Sequence, residues 1–88
     1  MRLLLVVEDT FEFQDGSIHF SPLVAMPTLE GVKAGDPLEL RRPDGTTMRT
    51  TLYGLDWPSP MCGKLGLSVK KPLTKADIPV GTEIWKMD

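Results

Sequence analysis

Apolar residues fall at alternate positions near the start of the chain, at Leu3, Leu5, Val7, Phe11 and Phe13, with Glu12 and Gln14 pointing the other way. This period of two predicts a first strand with the apolar set facing a core. Asp15-Gly16-Ser17 ends it, and residues 18–27 form a second extended segment. Pro22 and Pro27 lack an amide donor, which places them at an edge, a bulge or a strand end.

Residues 32–36 predict a turn in which Gly35 takes a positive φ, followed by a strand over 37–41 with Leu38 and Leu40 inward. Arg42-Pro43-Asp44-Gly45-Thr46 is the clearest hairpin signal: proline presets φ, aspartate bonds the turn backbone and glycine takes the left-handed position. Residues 47–55 return as a strand rich in β-branched side chains, and residues 57–63, with two prolines in three positions, predict a loop. A strand over 65–69 follows. Thr74 caps a single helical turn that stops before Pro79, and Val80-Gly81 turns the chain into a last strand over 82–85.

Eight glycines and eight prolines cut the chain into short segments with no sustained 3.6-residue period. Six or seven short strands in 88 residues predict one all-β domain spanning 1–88, closed or partly closed so that few edges are left unpaired. A domain of this size buries roughly two-thirds of its unfolded surface.

Net charge is −2, and a quarter of the residues are charged. That balance does not favour general nucleic-acid binding, which normally needs a strongly basic face. The single cysteine, Cys62, excludes an internal disulfide and suits a reducing compartment. Leu3-Leu4-Leu5-Val6-Val7 is too short to span a membrane and runs directly into Glu8 and Asp9. A cytoplasmic location without membrane partners is the expectation.

Four segments carry a family resemblance. Val7-Glu8-Asp9-Thr10-Phe11 is similar to the opening strand of domain 2 of the translational GTPases, the elongation factor Tu type of β-barrel. Val32-Lys33-Ala34-Gly35-Asp36-Pro37-Leu38-Glu39-Leu40 resembles that family's glycine-acid turn and alternating strand. Thr51-Leu52-Tyr53-Gly54-Leu55-Asp56 resembles its strand ending in glycine, an apolar residue and an acid. Leu65-Gly66-Leu67 with residues 75–84 resembles its closing turn and strand. The resemblance implies a stand-alone six-stranded Greek-key barrel. It also implies a role in translation, since the family uses this barrel to hold aminoacyl-tRNA or to dock on ribosomal RNA. Residues 15–23 depart from the family pattern and lack its arginine.

No glycine-rich loop followed by Lys and Ser/Thr is present, so the chain is not a GTPase. His19 is the only histidine and lies far from Cys62 in sequence, and no convergent acid, base and nucleophile can be assembled. Strand alternation separates Asp9 from Glu8 and Glu12, so these acids do not gather around a metal. The expected function is therefore a non-catalytic binding module with no cofactor and no metal. Protein docking is the first reading, carried by Trp57, Pro58, Pro60 and Met61 in a charge-free, proline-stiffened loop. The alternative is RNA or ribosome binding through Arg41, Arg42, Lys70 and Lys71.

Overall fold

A computed structural model of the chain describes residues 1–56, 63–70 and 73–87. Its strands are β1 (Arg2–Val6), β2 (Asp9–Glu12), β3 (Ile18–Ser21), β4 (Val24–Ala25), β5 (Pro37–Arg41), β6 (Thr47–Thr51), β7 (Gly54–Asp56), β8 (Lys64–Val69) and β9 (Glu83–Lys86). Two short 3₁₀ turns, Met26–Leu29 and Lys75–Asp77, complete the described elements.

The all-β expectation holds, and the strand placement is closest to the sequence reading where turn chemistry is strong. β5 spans residues 37–41, and Leu38 and Leu40 are fully buried. Gly35 and Gly45 take φ of 94° and 89°. In the hairpin, the Asp44 carboxylate accepts from the Thr46 backbone N–H at 2.9 Å and from its hydroxyl at 2.6 Å. These two bonds hold the Asp44 carboxyl below the usual aspartate range. Thr74 and Asp77 form a reciprocal capping box around the Lys75–Asp77 turn.

The closed barrel is corrected. The strands form two open sheets: β1-β9-β5-β6, and a second in which β2, β3, β8 and β4 follow in order while β7 also pairs with β8. Among the described residues, no strand of one sheet pairs with a strand of the other, so neither sheet closes. Among the described residues nine strands replace the expected six: the first segment and the one over 47–55 are each cut in two as the chain changes sheets, and the one over 18–27 is cut into β3 and β4 within the second sheet. The backbone switches partner between consecutive residues at two such points. Val7 donates to Thr82 of the first sheet's closing turn while Glu8 donates to Ser21 of β3. Leu52 donates to Asp36, and Tyr53 then donates to Ser68 of β8.

One apolar cluster joins the sheets. Leu4, Leu5, Leu38, Leu40 and Ile84 enter from the first sheet; Ile18, Phe20, Val24, Leu65, Leu67 and Val69 enter from the second. Burying these side chains drives association of the two layers, since each is worth about 1.5–3 kcal/mol when fully removed from water.

The predicted inward set on the first strand is also corrected. The β1–β9 register shifts between Leu3 and Leu5, so Leu4 and Leu5 are both buried while Leu3 is exposed. Beyond the crossover, Thr10 faces inward, and Phe11 and Phe13 are about half exposed, at 50% and 53%. These two rings lie on the outer face of the second sheet.

Candidate functional site

Antiparallel pairing places four residues in one row across the outer face of the second sheet. Phe11 on β2 is opposite His19 on β3, His19 is opposite Ser68 on β8, and Ser68 is opposite Gly54 on β7. Gly66 is opposite Asp56 one step along. Side chains two apart on a strand share a face, so Phe13, Asp15 and Ser17 approach the same surface from the β2–β3 turn.

The surface is concave because its floor is built from small residues and its walls from large ones. A cleft of about 840 Å³ is lined by Phe11, Phe13, His19, Leu23, Tyr53 and Asp56 around Gly54, Gly66 and Ser68. A Cβ added to Gly54 would stand 3.2 Å from Ser68 Oγ, and one added to Gly66 would reach 3.4 Å from Leu23 Cδ2. Phe11, Phe13, Leu23 and Tyr53 keep large exposed apolar areas although buried core is available to the chain. Together their exposed faces and the neighbouring polar groups form one concave surface.

A polar line crosses this apolar setting. Asp15 caps the β2–β3 turn, accepting from the Ser17 backbone N–H at 2.9 Å and from the Ser17 hydroxyl at 2.6 Å. Those two bonds hold the Asp15 carboxyl below the ordinary aspartate range. Ser17 Oγ also lies 3.1 Å from His19 Nε2, while His19 Nδ1 lies 3.0 Å from Asp56 Oδ2. The Phe13 ring stacks on the imidazole with centroids 4.0 Å apart and planes inclined by 27°.

Serine, histidine and aspartate in this order match the connectivity of an acyl-transfer triad. The hydroxyl here has one proton and two acceptors, however. Asp15 is the nearer of them, is ionised at neutral pH and bonds at 2.6 Å. A serine donating to a carboxylate does not pass its proton to the imidazole. Ser17 is also 1% exposed, which denies an incoming carbonyl the approach a nucleophile needs. The line orients His19 rather than activating Ser17.

The residues singled out from sequence lie elsewhere. Trp57, Pro58, Pro60 and Met61 of the proposed docking loop fall outside the described residues, as do Cys62 and Lys71. Arg41 donates to Glu39 Oε2 at 2.6 Å and lies over the Trp85 ring at 4.5 Å. Arg42 donates to the Asp77 carbonyl at 2.7 Å and to Thr46 Oγ1 at 3.3 Å. Both arginines belong to the first sheet and its hairpin. Lys70 follows β8 of the second sheet, with its ammonium 4.6 Å from the Tyr53 ring centroid. The three described members of the candidate RNA-binding set are thus divided between the two sheets. Among the described residues no group of three or more His, Cys, Asp or Glu side chains is placed to hold a metal ion. No helix there is long and apolar enough to cross a membrane.

The chain matches no family model, no curated protein and no solved structure. Together with the two open sheets, this overturns the assignment to the translation-factor barrel. No match supports the docking module read from the proline-stiffened loop or the RNA or ribosome role that the resemblance implied, and both are set aside. The short sequence similarities reflect local turn chemistry, a glycine at positive φ feeding an alternating strand, which unrelated β folds share. Sequence reasoning missed Phe11, Phe13 and Asp56, and took His19 only as a remote partner for Cys62. Their signal was the second phase of the alternation: Phe11, Phe13 and His19 form an aromatic set out of step with Thr10, Ile18 and Phe20.

Proposed function

We propose that the outer face of the second sheet is a small-ligand binding site and that the domain is not a catalyst. The observation that carries this reading is the concave arrangement itself. Three half-exposed aromatic rings, Phe11, Phe13 and Tyr53, surround a floor of Gly54, Gly66 and Ser68, with His19 held between Ser17 and Asp56. A flat or branched apolar group resting on this floor would be enclosed by the rings. Its polar end would meet the imidazole and the carboxylates, the combination typical of small-molecule sites.

The site is held by strands, which lowers the ordering cost of binding. His19 is fixed through both ring nitrogens and through its stack on Phe13. A rigid imidazole in a cleft also serves enzymes, so the competing acyl-transfer reading is tested directly. Activated-ester hydrolysis by the wild type is expected to equal that of Ser17→Ala. A loss of about 100-fold or more in the variant, on the scale of general base catalysis, would make the domain an enzyme.

Binding itself is tested by screening a fragment library against ¹⁵N-labelled protein. Amide shifts are expected to concentrate on β2, β3, β7 and β8. Fragments that shift only the first sheet, or none that bind at all, would remove the proposal.

A further inference from the structure

Resting on the ligand-site reading above, we infer that the cleft takes an organic cation: an ammonium group carried on an apolar or aromatic body. Among the described residues that line the cleft, the carboxylates face no Lys or Arg. Asp15 and Asp56 line the cleft, and Asp9 pairs with Ser21 on the face that bears Phe11. The described cationic side chains on this face are Lys64 and Lys70, which share the phase of Gly66 and Ser68 along β8 but stand outside the lining, and, when protonated, His19. Asp56 meets His19 through Oδ2, and its side chain remains 55% exposed, so a ligand can approach this carboxylate from solvent.

The aromatic walls supply the second half of the recognition. Ring faces attract cations through their quadrupole, most strongly where water is excluded. The structure already displays this pairing, for the Lys70 ammonium rests 4.6 Å from the Tyr53 centroid and lies 3.4 Å from the phenolic oxygen. Lys70 thus places on Tyr53 the same chemical group that an amine ligand would bring. Anions are disfavoured by the same arrangement, because they would meet Asp15 and Asp56 in its lining.

The test compares three probes of one shape: benzylamine, benzyl alcohol and benzoate, each titrated into the full chain and followed by ¹⁵N amide shifts. Benzylamine is expected to bind at the cleft about three- to fivefold more tightly than benzyl alcohol, the scale of one exposed ion pair or cation–π contact. Benzoate is expected to be weakest. Asp56→Asn should remove most of the amine's advantage over the alcohol, and Lys70→Gln should preserve or increase it. Alcohol and amine binding equally at the cleft, or benzoate binding best, would overturn the cation assignment while leaving the ligand site standing. Failure of all three probes to shift the cleft residues would overturn both.

Discussion

Replacing Gly81 with alanine separates two energetic terms that the structure places at one residue. Gly81 turns the chain into β9 at a φ of 93°, and its amide donates to the Val7 carbonyl at 2.8 Å. An L side chain in this left-handed region costs roughly 1–2 kcal/mol. The added Cβ would also stand 3.0 Å from Cγ of Pro43, a carbon in a stiff ring that cannot rotate away. Relieving that overlap adds about 1 kcal/mol. Gly81→Ala should therefore destabilise by about 2–3 kcal/mol in total, a large fraction of the roughly 4–13 kcal/mol available to a domain of this size. Gly45 provides the control, with a φ of 89° and nothing within 4 Å of a Cβ added there. Gly45→Ala should show the conformational term alone, about 1–2 kcal/mol. Urea unfolding monitored by tryptophan fluorescence measures both variants, and a double-mutant cycle with Pro43→Ala isolates the contact. The cycle should return a coupling of about 1 kcal/mol, with Pro43→Ala relieving part of the Gly81→Ala loss. Equal losses at Gly45 and Gly81 with no coupling would refute the packing of the β5–β6 hairpin against the final turn.

Two further outcomes follow from the core and from the turn carboxylates. Leu40→Ala, at a fully buried position in β5, should lower unfolding free energy by about 2–5 kcal/mol, and a loss below about 1 kcal/mol would place Leu40 outside the core. Asp15, Asp44 and Asp77 all have carboxyls held below the ordinary value of 3.8, each chiefly by hydrogen bonds from a nearby Ser or Thr. Their stabilisation is therefore complete above that value and is lost as pH falls through the lower folded-state values. The melting-temperature advantage of wild type over an Asp15→Asn/Asp44→Asn/Asp77→Asn variant should shrink on acidification from about pH 6 to about pH 2, and an unchanged difference would contradict the assignment.

Local chemistry made part of this fold legible in the sequence. Asp44 and Gly45 wrote the hairpin, Thr74 wrote the capped turn, and the alternation around Leu38 and Leu40 wrote a strand whose neighbours lie on both sides. What alternation could not show was the register shift between Leu3 and Leu5, which turns two consecutive leucines inward and breaks the period. Nor could it show where the backbone leaves one sheet for the other, because Val7–Glu8 and Leu52–Tyr53 are set by partners far along the chain. The site depends on those same long-range pairings. His19 meets Asp56 only because β3 and β7 both pair with β8, and two exposed phenylalanines in a strand pattern look like core residues until their sheet is known.

The ligand site is tested most directly by comparing fragment binding to wild type and to Gly66→Leu. Gly66 forms part of the cleft floor against Leu23, and it carries no left-handed backbone constraint, so the larger side chain fills the cleft without opposing the strand conformation. The variant should retain the wild-type amide pattern on the first sheet, while fragments that shift Phe11, His19, Tyr53 and Gly54 in the wild type bind at least about tenfold more weakly or not at all. Fragments binding both proteins equally, with the first sheet unchanged, would contradict the assignment of function to this face.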